Sequence, residues 1–123
     1  MVDAIEQSCD VYFYELAKRL GIDPIATMAR RFGLGEPTGI DLPGERAGLA
    51  PSRAWKQAAY GRGWLKGETL VCGIGQGYVT ATPLQLALEV SRIASGRSVS
   101  PRLVHMVGGE LTRRESAGRR RPG

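Results

Sequence analysis

A hydroxyl and a carboxylate stand two positions apart in Ser8-Cys9-Asp10. If both point into one cleft, such a pair can relay a proton or grip a substrate amide. The same residue types also cap helices, and Asp10 is well placed as the N-cap of the run that follows it. Other reactive side chains stand alone. Cys9 and Cys72 lie 63 positions apart, a spacing that fits neither a metal site nor a redox pair, and their apolar neighbourhoods suit buried free thiols. His105 is the one histidine. With no second ligand nearby, it reads as a satisfied, half-buried strand residue. Gly73-Ile74-Gly75-Gln76-Gly77 lacks the Gly-x-Gly-x-x-Gly spacing of dinucleotide loops and reads as a tight turn. Asp41 and Glu45 flank a Pro-Gly turn, which accounts for Asp41 by turn chemistry.

Helices are expected around these residues. Val2, Ile5 and Cys9 are spaced for one face of a short helix. A second helix, near 11–20, carries Phe13, Leu16, Ala17 and Leu20 at helical spacing and stops at Gly21. Asp23-Pro24 then reads as an N-cap with proline at the first position of a helix near 24–32, which ends at Gly33. Residues 34–51 lose all periodicity among Pro37, Gly39, Pro43, Gly44, Gly48 and Pro51. Ser52 suits the cap of a short helix to Tyr60, with Trp55 as anchor. Glu68 to Ile74 reads as a brief extended segment. Thr82-Pro83-Leu84-Gln85 is a capping box opening a helix over 83–95, whose three leucines in five residues predict deep packing. Pro101 to Val107 reads as a strand with Leu103 and Val107 on one face.

A chain of 123 residues with 42% hydrophobic content is one domain's worth of sequence with a modest core. Its net charge of +5 is concentrated at one end. Residues 113–123 hold five Arg and one Glu, so the body is nearly neutral. The domain division expected is a body over 1–112 and a basic, solvated, disordered tail over 113–123. The tail has no interleaved aromatics for stacking on single strands, and nucleic acid is not an expected partner. A shifted reading frame from about residue 112 would give a similar ending. No apolar run is long enough to cross a bilayer.

The segment Ser8-Cys9-Asp10-Val11-Tyr12-Phe13-Tyr14 resembles the Ser-x-Asn element of penicillin-binding transpeptidases, followed there by an aromatic-rich helix. Three further matches arrive in family order: Arg31-Phe32-Gly33-Leu34-Gly35 with Thr38-Gly39-Ile40-Asp41-Leu42-Pro43-Gly44-Glu45; Gly73-Ile74-Gly75-Gln76-Gly77-Tyr78; and Thr80-Ala81-Thr82-Pro83-Leu84-Gln85-Leu86-Ala87. Trp55-Lys56 and Trp64 look like the class B, elongation-type (penicillin-binding protein 2) subgroup. The resemblance covers roughly residues 2–109. It implies the α/β serine-transpeptidase (β-lactamase-like) fold, of which this piece would be mostly helical with one or two short strands.

The family's chemistry rests on Ser-x-x-Lys, Ser-x-Asn and Lys-Thr-Gly. In this chain no serine has lysine three positions on: Ser8 is followed by Val11, Ser52 by Trp55, Ser91 by Ala94. Lys-Thr-Gly is absent as well, so the chain reads as an internal piece without the nucleophile, expected to be inactive alone. Matched position by position, Ser8 corresponds to the serine that helps shuttle a proton, and Asp10 to the residue that holds the substrate's amide. An ionised Asp at that place can only accept hydrogen bonds. The resemblance further implies a peptidoglycan stem peptide as substrate, β-lactams as inhibitors, cell-elongation proteins as partners and no cofactor or metal. It places the parent on the outer side of the cytoplasmic membrane, anchored there by a segment not in this chain. The rival reading is a non-catalytic interaction module whose basic tail meets an anionic partner.

Overall fold

The computed structural model describes residues 1–111. In chain order it contains α1 (Val2–Glu6), α2 (Asp10–Leu20), α3 (Ile22–Arg31), α4 (Arg53–Tyr60), α5 (Lys66–Gly73), α6 (Pro83–Ser95), β1 (Met106–Val107) and β2 (Glu110–Leu111). The expected tail of residues 113–123 lies outside the described residues.

The clearest expectation, α6, starts as its sequence dictates. Thr82 Oγ1 accepts from the Gln85 N–H at 3.1 Å, and Gln85 Oε1 accepts in return from the Thr82 N–H at 2.9 Å. Pro83 sits in the first turn, and Gly96 closes the helix in the left-handed conformation. Ser52 caps α4 by accepting from the Trp55 N–H at 3.1 Å, as its type suggests. Between them the 34–51 connector is irregular but fastened. An isolated bridge pairs Leu49 with Thr80. Glu45 accepts from the backbone N–H groups of Thr38 and Gly39.

Several expectations need correction. Glu68 to Ile74 lies mainly in helix α5, not an extended segment. Glu68 reaches back to accept from the Leu65 N–H at 2.8 Å, while its own N–H donates to the Leu65 carbonyl at 3.1 Å. This local closure nucleates a turn that Gly67 and β-branched Thr69 and Val71 do not advertise. Asp10 is the first residue of α2, not its cap; Cys9 holds that position without a side-chain bond. Asp23 does not cap α3, which begins at Ile22 behind Gly21. Its carboxylate instead accepts from the Arg53 N–H at 3.1 Å. The expected strand over 101–107 shrinks to Met106–Val107, paired antiparallel with Glu110–Leu111 around Gly108 and Gly109. The Leu103 and Val104 N–H groups are captured by Asp41 at 2.6 and 2.9 Å. Asp41 therefore tethers a segment far along the chain, beyond any local turn role. His105 is exposed rather than half-buried.

The core is small and built on close backbone approach. Its buried apolar members include Ala17, Ile22, Ala26, Ala50, Cys72 and Leu88. α2 packs chiefly on α5, and α3 contacts both. At the α2–α5 crossing, a Cβ on Gly73 would fall 2.5 Å from the Ala17 Cβ and 3.2 Å from the Phe13 carbonyl oxygen. Only glycine fits there. α6 does not bury its leucine face as predicted: Leu88 is buried, but Leu86, Val90 and Ile93 are exposed.

The best-buried side chain on α6 is polar. Gln85 has no accessible surface. Its Nε2 donates to the carbonyls of Glu36, at 2.9 Å, and Ala47. It ties the irregular connector to the α6 N-terminus, and each polar atom finds a partner, as burial demands.

Candidate active-site segment

Ser8 and Asp10 are placed at the joint between α1 and α2. The joint is fixed by backbone bonds: the Ser8 N–H donates to the Ile5 carbonyl at 3.2 Å and the Cys9 N–H to Ala4 at 2.9 Å. Ser8 has φ of 50°, the one positive φ outside glycine among the described residues. A side chain in that conformation costs about 1 kcal/mol or more relative to glycine. Asp10 follows in the first turn of α2, where the helix dipole favours a negative charge.

Both side chains are exposed, and no hydrogen bond or ion pair to a described residue holds either one. They do not bond each other. Neither side chain caps a helix, and both face solvent. Behind it, α2 is seated by the Gly73–Ala17 contact, so α5 sets where Asp10 stands.

The thiols are not partners. Cys9 is half-buried and Cys72 buried, both free. Burial pushes the Cys72 thiol upward, keeping it protonated. Gly73–Gly77 is the junction after α5, and in it Gly75 and Gly77 have positive φ, in keeping with a turn.

Sequence reasoning missed a second cluster, centred on Glu68. Lys56, whose side chain is 6% exposed, donates from Nζ to Glu68 Oε1. Tyr78 Oη donates to the same oxygen at 3.1 Å. The Lys56 ammonium holds the Glu68 carboxyl below its ordinary range, with the Leu65 N–H assisting. Burial, then the bond to Glu68, raises the Tyr78 phenol. Three rings surround Tyr78, with centroids at 5.2 Å for Trp55, 5.7 Å for Tyr60 and 6.3 Å for Trp64. The Lys56 Nζ lies 5.7 Å from the Tyr78 centroid and 5.9 Å from Trp64, in cation–π range. The available signal was aromatic density around a glycine-rich loop; the burial of Lys56 left no periodic trace.

The chain is similar to known proteins over most of its length. The family model described as penicillin binding protein transpeptidase domain matches residues 1–121. The Salmonella typhimurium protein named peptidoglycan D,D-transpeptidase MrdA is 50% identical over 102 residues, covering 82% of this chain and 16% of that protein. The Acinetobacter baumannii protein of the same name is 46% identical over 110 residues, covering 89% and 16%. Among solved structures, Pseudomonas aeruginosa PBP2, in complex with WCK 5153, superposes with a TM-score of 0.84 at 44% identity, covering 88% of this chain and 24% of that one. Helicobacter pylori PBP2, in complex with MreC, gives 0.78 at 40% identity, covering 81% and 19%. The chain thus spans about a sixth of the curated relatives it matches.

Proposed function

Because the chain belongs to the penicillin-binding protein transpeptidase family, we propose that it supplies the Ser-x-Asn-type element of a peptidoglycan D,D-transpeptidase. The observation that carries this is the unspent pair Ser8 and Asp10 on a segment whose ordered motifs match the family. The reaction is acyl transfer. A serine from a Ser-x-x-Lys segment, which this sequence does not contain, attacks the terminal D-Ala–D-Ala bond of a stem peptide. Its proton passes through the lysine and Ser8 Oγ to the departing amine. Asp10, as an acceptor, holds an amide N–H of the donor strand. A second stem's amine then resolves the acyl-enzyme, cross-linking the wall. β-Lactams enter the same path as donor mimics.

The charge distribution of the sequence supports reading residues 1–112 as part of the transpeptidase domain, with 113–123 a basic tail; the family match itself runs to residue 121. The parent works in cell-wall elongation outside the cytoplasmic membrane; none of the described helices is long and apolar enough to cross one. The complex of the Helicobacter pylori relative with MreC supports an elongation-machinery partner for the parent.

A graft tests the reading. The matching segment of the Salmonella typhimurium relative is replaced by this chain's residues, and acylation by labelled penicillin and stem-peptide cross-linking are timed. The graft should react, and Ser8→Ala should slow it by roughly 100-fold or more, the usual worth of a positioned proton relay. Asp10→Asn should retain most activity and Asp10→Leu should lose far more. Equal losses at Asp10 would assign the role to charge. A folded graft indifferent to both Ser8→Ala and Asp10→Leu would sink the proposal.

A further inference from the structure

Beside the Glu68 cluster lies a cavity of about 430 Å³ lined by Tyr60, Arg62, Trp64, Leu65 and Tyr78, with Lys56 and Glu68 among its remaining wall residues. Its volume is in the range of small-molecule sites. The fold has used the polar atoms at its back. The Trp64 indole N–H is spent on Thr69 Oγ1 at 2.7 Å, and the Tyr78 hydroxyl on Glu68. Lys56 and Glu68 neutralise one another. Remaining for a ligand are ring surface, the exposed Tyr60 and Leu65 side chains at 56% and 64% exposure, and the Arg62 guanidinium. Neither Tyr60 Oη nor Arg62 has a hydrogen-bond or ionic partner among the described residues. The cavity therefore presents flat apolar faces, one free hydroxyl and one uncompensated positive charge.

A flat body with hydroxyls and an attached carboxylate satisfies all three features. We propose that this pocket binds the sugar portion of a peptidoglycan strand: an N-acetylated amino-sugar ring lies on the aromatic wall, and a carboxylate of its peptide branch pairs with Arg62. The assignment rests on the transpeptidase reading, since it gives that enzyme a second hold on the same polymer through residues other than Ser8 and Asp10. Aromatic residues supply large contact area at small conformational cost, and a guanidinium can take a carboxylate bidentately.

The molecule carries its own probe. Both tryptophans of the chain, Trp55 and Trp64, belong to this cluster, so intrinsic fluorescence reports on the pocket. The 123-residue chain is titrated with a soluble disaccharide-tetrapeptide of N-acetylglucosamine and N-acetylmuramic acid, with the free tetrapeptide, and with neutral chitotetraose. The disaccharide-tetrapeptide should shift the fluorescence saturably and bind tightest of the three. Arg62→Gln, at an exposed residue with no hydrogen bond or ion pair to a described residue, should weaken it by roughly tenfold, the worth of one charge-assisted hydrogen bond. Tyr60→Ala should weaken all sugar-containing ligands. Acylation of the graft by labelled penicillin, which has no sugar, reads the Ser8–Asp10 segment separately, so a failure there and a failed titration are told apart. No saturable change, or wild-type affinity in both Arg62→Gln and Tyr60→Ala, overturns the proposal. Free tetrapeptide binding as tightly removes the sugar assignment, and chitotetraose binding as tightly removes the carboxylate.

Discussion

Two regions of the molecule treat polar side chains in opposite ways. Around Glu68, the carboxylate oxygens are taken by Lys56, Tyr78 and the Leu65 N–H, and at the start of α6 Gln85 is fully buried with its amide satisfied. At the α1–α2 joint, Ser8 holds a strained backbone conformation, Asp10 faces solvent, and neither side chain is bonded to a described residue. The first region spends its polar groups on the fold; the second leaves them in solvent, where we propose that they serve the reaction. Substitutions should therefore damage stability in one place and activity in the other.

The largest stability effect should come from Gln85→Leu. It leaves the Glu36 and Ala47 carbonyls and the Thr82 N–H without their partner, at roughly 1–3 kcal/mol for each group that stays buried. Denaturant unfolding should show a midpoint far below wild type. A near-neutral result would mean that the connector does not depend on α6. Gly73→Ala comes next. Its new methyl meets Ala17 and must push α2 away, costing about 1–3 kcal/mol, and in the grafted enzyme it should also lower activity by displacing Asp10. A loss of stability with full activity would separate α5 from the positioning of the joint.

A pH profile sharpens the contrast further. Glu68 titrates below the ordinary glutamate range in the folded chain because Lys56 holds its charged form. Its stabilisation is complete above that range and drains away as pH falls through the folded value. Glu68→Gln should flatten this acid limb without abolishing it, because Glu45, held by Thr38 and neighbouring N–H groups, is lowered too. An unchanged acid limb would show that the Lys56 pair contributes nothing to folding. The smallest expected effect is at the joint. Ser8→Gly relieves the positive φ and should lie within about 1 kcal/mol of wild type, on the stabilising side, while removing the proposed relay from the graft. A clear destabilisation would make Ser8 a structural residue.

What could be read from the residues divides along physical lines. α6, α4 and their ends were legible because Thr82, Pro83, Gln85, Ser52 and Gly96 act on their immediate neighbours. The Ser8–Asp10 segment was legible as a candidate only through its flanking motifs, and its role is still a proposal. Helix α5 was missed because its start depends on a carboxylate folding back on Leu65, in a run poor in helix formers. The burial of Gln85 and Lys56, and the tether from Asp41 to Leu103 and Val104, arise between segments remote in sequence. No local pattern encodes such meetings. The leucine-rich face of α6 misled for a related reason: periodicity shows which side is apolar, not whether anything covers it.

We propose that this chain carries the Ser-x-Asn-type wall of the chemistry and not the nucleophile. The most direct measurement is to incubate the 123-residue chain with labelled penicillin, denature it and weigh it. No serine in the sequence has lysine three positions on, so the family's pairing of a nucleophilic serine with its lysine is missing from these residues, and the Cys72 thiol is held protonated by burial. The unmodified mass is expected. A one-to-one adduct that survives denaturation would contradict it, by showing that a working nucleophile lies within these residues.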